Sequence, residues 1–418
     1  MSNLDVLFFV EHKDREMEGT LAVKKQLESY GLKVAIASIE FGLAQAYLRY
    51  SPKVICMPYL KSRKSTVARV FAARDRNTIF LNLNYEQLFW KMTEEFKRPR
   101  DKFAKDEVYH FAWGNNFKKY LERKGVPESQ IFIVGKPEIQ FLKEKKEREK
   151  DLKGRLAKER NLDVNKKWCF LPLNDGSAFR TDQMIDTLVK KSHAIKGHLF
   201  DTRRIAKEQI TNLLKFITEL DDSELKQKIE FIYRPHPGVT EAQILSIISE
   251  LGKEKPAWLH IDRSYSVKEW LCCSDVCITN WSTVIVDAAL IGLNSFSFYP
   301  HLMTESMQSD WLPLFPAISN YDDFCKALME RNEGEAVNGD KFKDYFDTSS
   351  SVIEKWAKAI NELTLKYGKE DHSSVFSRLD YQRVLYLLRA ECRRLSRKLF
   401  SGKFVKKAIQ YDYFEIID

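Results

Sequence analysis

A regular alternation of short apolar strands with helical segments is the feature that most constrains this fold. The strand signals before residue 135 are Val6–Val10, Lys33–Ile39, Val54–Met57, Thr78–Leu83, Tyr109–Ala112 and Ile131–Val134. Five more follow a break in the pattern: Trp168–Leu173, Glu230–Arg234, Trp258–Ile261, Val276–Thr279 and Ser295–Tyr299. Helical periodicity fills the intervals between them. This alternation predicts parallel, doubly wound α/β sheets.

The two series of strands predict two lobes. Gly135-Lys136-Pro137 interrupts the pattern, and a charge-dense run from Lys143 to Arg160 follows it. With 418 residues, 44% of them hydrophobic, the chain can form two separate cores. We expect Rossmann-like lobes with a cleft between them and a helical C-terminal extension on the second. The predicted divisions are an N-terminal Rossmann-like lobe (1–140), an exposed linker helix (141–160), a C-terminal Rossmann-like lobe (161–335) and a helical extension with a basic tail (336–418).

Composition favours a cytoplasmic protein. We expect neither a signal peptide at the start of the chain nor a membrane-spanning segment, because no apolar run is long enough. Seven cysteines without paired spacing suit a reducing compartment. Cys272, Cys273 and Cys277 are expected to be small buried residues, since no histidine accompanies them at metal-ligand spacing. The sequence therefore predicts no metal site.

The formal charge of +9 is concentrated towards the C-terminus. Between positions 389 and 407 a single acid, Glu391, accompanies the basic residues Arg389, Arg393, Arg394, Arg397, Lys398, Lys403, Lys406 and Lys407. Apolar residues are interleaved among them. Such a segment can lie on an anionic membrane surface, or it can pack on the protein with its basic side in solvent. Nucleic acid is not an expected partner, because no helix-turn-helix pattern or aromatic-rich basic sheet accompanies the charge.

A histidine between two prolines follows one strand of the second series. The buried-type strand Phe231-Ile232-Tyr233 runs directly into Arg234-Pro235-His236-Pro237-Gly238. The prolines stiffen the backbone on both sides of His236. A rigid imidazole beside a guanidinium suits a phosphate oxygen and can stabilise negative charge on a leaving group. A loop histidine that is hydrogen-bonded to backbone is the alternative interpretation.

Two hydroxyl residues follow another strand of the same series. Val276–Thr279 runs into Asn280-Trp281-Ser282-Thr283 and then an apolar helix that ends near Gly292. Polar groups at the carboxyl ends of parallel strands meet at one sheet edge, and a helix start offers unpaired N–H groups to an anion. Ser282 and Thr283 are therefore predicted to bind the same anion as His236, with simple helix capping as the alternative. Asp287, one turn later, is expected to fix the helix start or to contact a ribose.

Three carboxylates are candidates for a base that removes a proton from an acceptor hydroxyl. Glu86 lies in Asn82–Gln87, a segment that is expected to follow a strand and to open a helix. Asp175 lies in an Asp-Gly turn after the first strand of the second series, and Glu16 follows the first strand of the chain. Glu86 is equally well explained by a helix dipole, and Asp175 by loop geometry.

These motifs, in this order, resemble those of bacterial surface-carbohydrate biosynthesis proteins of the GT-B type. The resemblance covers roughly residues 5–300 and rests on Glu11-His12-Lys13-Asp14-Arg15-Glu16, Gly135-Lys136-Pro137, Arg234-Pro235-His236-Pro237-Gly238, Thr279-Asn280-Trp281-Ser282-Thr283 and Asp287-Ala288-Ala289. Related groups are capsule Kdo transferases, sialyltransferases with a His-Pro motif, and CDP-glycerol polymerases. The sialyltransferase-like groups carry an acidic pair followed by glycine where this chain has Asn84-Tyr85-Glu86-Gln87, so the identity of the base stays open.

The resemblance implies a metal-independent, inverting glycosyltransferase without a cofactor. It would move a CMP-activated acidic sugar (Kdo or another nonulosonate) onto a glycan or glycolipid acceptor of capsule or lipopolysaccharide. The enzyme would work in the cytoplasm, with peripheral contact to the inner membrane face. Alternatives are a CDP-polyol phosphotransferase, a UDP-sugar 2-epimerase and a non-catalytic GT-B-like protein. The implied donor-binding residues are Arg234, His236, Pro237, Gly238, Asn280, Ser282, Thr283 and Asp287, and the implied catalytic residues are His236, Glu86, Asp175 and Glu16.

Overall fold

Two compact units make up the chain. In the computed structural model, the described residues are 2–192, 195–220, 224–236, 238–300, 303–329, 339–347, 351–368, 381–399 and 412–418. Unit 1 comprises Met1–Gln87, Glu95–Gln140 and Lys343–Asp418, and unit 2 comprises Leu88–Glu94 and Phe141–Phe342. Each unit contains one six-stranded parallel sheet, which confirms the predicted α/β fold class.

The sheet of unit 1 has the strand order β2-β1-β3-β4-β5-β6. Its strands are β1 (Ser2–Val10), β2 (Val34–Ser38), β3 (Tyr50–Met57), β4 (Ile79–Asn82), β5 (Val108–Ala112) and β6 (Ile131–Ile133). The first strand is internal to the sheet, with Leu7 paired to Ala35 on one side and to Ile55 on the other. Every residue of Val6–Val10 is buried, which is why this part of β1 is continuously apolar.

The sheet of unit 2 has the order β12-β11-β10-β7-β8-β9. Its strands are β7 (Lys167–Leu171), β8 (Ile229–Tyr233), β9 (Leu259–Ile261), β10 (Val276–Thr279), β11 (Asn294–Phe298) and β12 (Ala317–Ile318). The order reverses between β7 and β10, so the crevice at their carboxyl ends is the position at which such sheets bind ligands.

Helices connect the strands in each unit. In chain order they are α1 (Lys13–Ser29), α2 (Leu43–Arg49), α3 (Thr66–Ala72), α4 (Lys91–Lys97), α5 (Lys102–Asp106), α6 (Asn115–Arg123), α7 (Pro137–Lys146), α8 (Glu149–Arg160), α9 (Asp182–Ser192), α10 (Lys196–Thr218), α11 (Glu224–Lys228), α12 (Glu241–Glu250), α13 (Val267–Cys273), α14 (Val284–Leu290), α15 (Tyr321–Met329), α16 (Val352–Lys366) and α17 (Tyr381–Leu399). Within the described ranges, none of them has the length and hydropathy needed to cross a bilayer.

The predicted exposed linker helix differs from the structure. The charged run forms the end of α7 and then α8, and α8 packs on α13 within unit 2. Leu156 of α8 is fully buried, and Lys153 donates to Asp275 at 2.9 Å. Charge density alone suggested an exposed linker. One buried leucine and ion pairs along its flank instead attach the helix to the unit.

The C-terminal segment also differs from its expected position, because it belongs to unit 1 rather than extending the second lobe. Trp356 of α16 is buried and donates from Nε1 to the carbonyl oxygen of Gly135 at 3.1 Å. Gly135 has φ 74°, and a Cβ there would lie 2.5 Å from the carbonyl oxygen of Asp347. At the end of the chain, Ile417 pairs antiparallel with Ile36 of β2. Long-range packing of this kind has no local sequence signal.

The predicted helix start at Asn82–Gln87 is wrong. The segment is a loop in which Asn84 has φ 50°. The side-chain amides of Asn84 and Gln87 both donate to the carbonyl oxygen of Phe111 at 3.1 Å, and Gln87 Oε1 accepts from the N–H of Trp113 at 2.7 Å. The amides thus satisfy the backbone at the end of β5, and the chain does not enter a helix until Lys91.

Candidate functional site

The Asp175 carboxylate joins the loops that follow β7 and β8. Its Oδ2 accepts from the Tyr233 hydroxyl at 2.7 Å, and its Oδ1 accepts from the backbone N–H of His236 at 2.9 Å. The residue is fully buried, and burial raises the pKa of its carboxyl although both hydrogen bonds oppose the shift. Both oxygens are occupied within the protein. The geometry therefore favours a role in positioning the His236 loop.

His236 is held in one tautomer. The backbone N–H of Gly238 donates to His236 Nδ1 at 3.2 Å, so the neutral ring carries its proton on Nε2. A Cβ on Gly176 would lie 2.8 Å from Nδ1, so the ring packs directly on the glycine backbone. The side chain is partly exposed to solvent. Desolvation of the ring by the surrounding protein lowers the pKa of His236, and the charges of Arg180 and Arg263 lower it further. At neutral pH, His236 offers an N–H donor from an uncharged ring.

Two arginines give this loop cluster an excess of positive charge. Arg263 follows β9 and donates to the carbonyl oxygen of Val239 at 2.9 Å. Arg180 is half-buried, and burial lowers its pKa. Among the described residues, the guanidinium of Arg180 has neither a hydrogen-bond partner nor an ion-pair partner. Two arginines and a histidine N–H beside the Gly176 turn form a set of donors that suits phosphate oxygens.

Arg234 points elsewhere. Its Nη1 donates to the carbonyl oxygen of Tyr265, which lies just before α13, and burial lowers its pKa. The sequence predicted that the Arg234 guanidinium lies beside the His236 imidazole, because the two residues are two positions apart. In the structure, Arg180 and Arg263 are instead the guanidinium groups whose charges act on the imidazole. Pro237, the remaining residue of the motif, lies outside the described residues.

The predicted hydroxyl motif lies on the other side of β7. Asn280 is buried, and its Oδ1 accepts from the backbone N–H of Asn174 at 2.9 Å. Asn174 precedes Asp175, so one loop touches both the Asn280 segment and the His236 segment. Ser282 Oγ accepts from the N–H of Val284 at 3.4 Å.

Thr283 is the residue before α14 and makes no side-chain capping bond. Its side chain is exposed, so its hydroxyl remains available to a ligand. Asp287 lies in the first turn of α14, as predicted. The helix has only 7 residues, so an anion at this position would be bound by the hydroxyls of Ser282 and Thr283 rather than by a helix dipole.

In unit 1, Glu16 and Glu86 meet at Arg15. Arg15 donates to Glu16 Oε1 and to Glu86 Oε1, both at 3.0 Å. Glu16 also accepts from the N–H of Glu11 at 2.8 Å, is fully buried, and has a pKa that burial raises. Glu86 also accepts from Lys97. Burial alone would raise the pKa of Glu86, but Lys97 and Arg15 lower it.

A cluster of cations surrounds Tyr59 at the carboxyl end of β3. Lys97 Nζ and Lys61 Nζ lie 4.7 and 5.3 Å from the centre of the Tyr59 ring. Burial lowers the pKa of Lys61, and so do the charges of Lys97 and Arg100. Within the described ranges, Lys61 and Arg100 form no ion pair, although the charge of Glu86 opposes the lowering of the Lys61 pKa. Arg15 Nε is buried without a hydrogen-bond acceptor. The strand order of this sheet reverses between β1 and β3, so the cluster lies where doubly wound sheets generally bind ligands.

Sequence reasoning missed Arg180, Arg263, Tyr59, Lys61 and Lys97. A usable signal existed for Tyr59-Leu60-Lys61, because it follows a predicted strand just as Arg234 does. Arg263, two residues beyond β9, carried the same signal, whereas Arg180 lies nine residues beyond β7 and carried none. Across the described residues, no group of three His, Cys, Asp or Glu side chains is placed to hold a metal ion.

Comparison with known proteins establishes the fold. No family model matches the chain, and no curated protein does. Among solved structures, the wall teichoic acid polymerase TagF (H548A variant) has a TM-score of 0.54 at 11% identity, over 87% of this chain and 89% of that one. A putative UDP-N-acetylglucosamine 2-epimerase from Listeria monocytogenes also has a TM-score of 0.54 at 11% identity, over 90% and 99% of the two chains.

The UDP-GlcNAc 2-epimerase of Methanocaldococcus jannaschii, in complex with UDP-GlcNAc and UDP, has a TM-score of 0.53 at 13% identity, over 86% and 100%. The chain has the GT-B fold. At these identities the likeness shows the fold alone, so the relation to Kdo transferases and sialyltransferases stays a prediction. The GT-B fold is shared by enzymes of different chemistry, so the reaction has to be inferred from the residues of the site rather than from the fold.

Proposed function

We propose that this GT-B protein is a transferase that uses a nucleotide-activated donor in the synthesis of a surface polymer. The observation that carries the proposal is the donor set of unit 2: the Nε2–H of His236 beside Arg180 and Arg263, on a loop that Asp175 fixes. This set can bind the donor phosphate and stabilise the charge that develops on it as the bond to the transferred group breaks. Ser282 and Thr283 supply hydroxyls to a phosphate or to a sugar carboxylate.

The leading donor is a CMP-activated acidic sugar (Kdo or another nonulosonate), with a capsule or lipopolysaccharide glycan as acceptor. The sequence motifs support this choice. The second candidate is transfer of a polyol phosphate from a CDP-polyol, which the structural likeness to the polymerase TagF favours. Both reactions release CMP, but only the second creates a phosphodiester. Phosphorus NMR of the product therefore separates them.

A nucleotide panel tests the proposal before the acceptor is known. We expect CMP or CDP, added at about 100 times its dissociation constant, to stabilise the folded protein by about 2.7 kcal/mol. UDP and GDP at the same concentration should produce a smaller shift in melting temperature. Differential scanning fluorimetry measures all four. A shift with UDP alone would favour the epimerase alternative, and no shift with any nucleotide would contradict the proposal.

On the acceptor side, we propose Glu86 as the residue that takes the hydroxyl proton. Of the three candidate carboxylates it alone is accessible: Glu86 is half-buried, with 43% of its side chain in contact with solvent, whereas Glu16 and Asp175 are fully buried. Its ion pairs make it a weak base as it stands. An anionic acceptor that draws Lys97 away would raise the pKa of Glu86 towards its ordinary value and strengthen it as a base. Lys61 and Arg100 then hold the anionic group of the acceptor.

Replacing Lys61 tests this assignment. We expect Lys61→Gln to raise the acceptor KM about tenfold, because one charged contact is worth about 1.4 kcal/mol. The donor dissociation constant should not change, since Lys61 belongs to unit 1. Initial rates at varied acceptor concentration measure the first quantity, and nucleotide titration measures the second. Lys119→Gln, an exposed change in the same unit, is the control. An unchanged acceptor KM would remove the cluster from acceptor binding.

We further propose that the acceptor is membrane-bound and that the protein works on the inner membrane face. The basic C-terminal tail supports this, since an anionic surface attracts clustered lysine and arginine. Its residues 400–411 lie outside the described ranges. The basic and apolar residues of α17, which are described, allow the contact to be specified further.

A further inference from the structure

The apolar side of α17 faces solvent. Tyr381, Val384, Leu385, Leu388 and Leu395 are exposed to 72%, 52%, 44%, 57% and 39%. Their spacing places them in one stripe along the helix. The stripe extends over about 21 Å, at 1.5 Å per residue. Five large apolar side chains left in water along one helix face indicate a surface that contacts something apolar.

The opposite face attaches α17 to unit 1. Ala390 is buried in the core of that unit, and Tyr386 and Leu387 pack against the same core. The helix contacts α2 and α3 through this side. Glu40, just beyond β2, forms an ion pair with Arg393. The stripe therefore points outward because the other half of the helix is already packed.

A basic cavity lies between α17 and the segments that precede α2 and α3, and Arg389 in its lining is one helical turn beyond Leu385 of the stripe. It has a volume of about 440 Å³, and its lining includes Glu40, Lys64, Ser65, Thr66, Arg389 and Arg393. Three cations and one carboxylate give this lining a net charge of +2. Arg393 is paired with Glu40, whereas Lys64 and Arg389 have no acidic partner in the part of the chain that the structure describes. The cavity thus combines uncompensated charge with the hydroxyls of Ser65 and Thr66.

We propose that this face of unit 1 docks on an anionic membrane and that the cavity receives the phosphate of an anionic phospholipid headgroup. The stripe enters the boundary between headgroups and acyl chains, while Lys64 and Arg389 neutralise the phosphate. A bilayer with anionic lipid supplies an apolar phase directly beside a layer of negative charge, which matches the stripe and the cavity together. The inference deepens the membrane contact proposed above and does not depend on the identity of the donor.

Vesicle sedimentation of the full chain tests the stripe. We expect binding to phosphatidylcholine vesicles that contain phosphatidylglycerol, and little binding to phosphatidylcholine alone. The double variant Leu385→Gln, Leu388→Gln should lower the partition coefficient at least about tenfold, because it removes two inserted apolar side chains. Both positions are exposed, so the fold should survive. Leu365→Gln, at a leucine of α16 that is 65% exposed, is the matched control and should bind like the wild type.

A second pair of variants tests the cavity. Lys64→Gln with Arg389→Gln should weaken binding to the anionic vesicles by about 10- to 30-fold, at about 1 kcal/mol per charge. Lys25→Gln with Lys119→Gln removes the same net charge from exposed positions of unit 1 and should have little effect. Equal weakening by both pairs would overturn the headgroup site, and full binding by the stripe variant would overturn the docking face. CMP release with a water-soluble acceptor, measured in parallel, should be unchanged, so a failure of donor chemistry is seen separately.

Discussion

His236→Ala should lower kcat/KM for transfer by about 10²- to 10³-fold, which is the usual cost of removing one donor that stabilises developing charge. The physical reason is the Nε2–H, which the hydrogen bond from Gly238 to Nδ1 keeps available at neutral pH. His236→Gln should recover part of the loss, because its amide also presents an N–H. Rates of CMP release with a proven donor and acceptor measure both variants.

The control for this prediction is His198→Ala, a histidine of α10 in the same unit that lies outside the loop between β8 and α12. It should keep the wild-type rate. Full turnover by His236→Ala with unchanged folding would contradict the mechanism. The same result would leave the fold assignment intact, since that rests on the two sheets and the structural comparisons.

Asp175→Ala should destabilise the protein by about 3 kcal/mol, because the buried Tyr233 hydroxyl and the N–H of His236 would both lose their acceptor. Urea unfolding measures the change. Asp182→Ala, on an exposed ion pair of the same unit, should change the free energy of unfolding by less than about 0.5 kcal/mol. A loss of stability no larger than this control would mean that Asp175 does not hold the loop.

Asp175→Asn separates positioning from stability. The negative charge of Asp175 raises the pKa of His236, opposing the effects of burial and of Arg180 and Arg263. Removing that charge should lower the pKa of His236 further, so that the ring becomes protonated only at a more acidic pH. NMR titration of the imidazole measures the shift directly. An unchanged His236 pKa in the folded variant would show that the two groups are not coupled as the structure indicates.

The fold class was predictable because its signal is local. Eleven of the twelve strands left a short apolar run in the sequence, whereas β12, which has only two residues, was not predicted. Gly135, where the predicted pattern breaks, has a positive φ in the structure. The pairing of strands in parallel then follows from the helices between them. The loop after Asn82 was mispredicted for an equally local reason. Polar residues that follow a strand commonly begin a helix. Here the side-chain amides of Asn84 and Gln87 instead donate to the carbonyl oxygen of Phe111 at the end of β5, which the local sequence does not indicate.

For the site, the chain by itself determined which residue types follow the strands: the imidazole at 236, the carboxylate at 175 and the hydroxyls at 282 and 283. The tertiary structure decided their partners, because hydrogen bonding and charge depend on distances between segments far apart in sequence. Strand order placed β7 between β8 and β10, so Asp175 fixes the His236 loop. Packing decided which side of α17 faces water, since the periodicity of a helix fixes its stripe but not the surface that covers it.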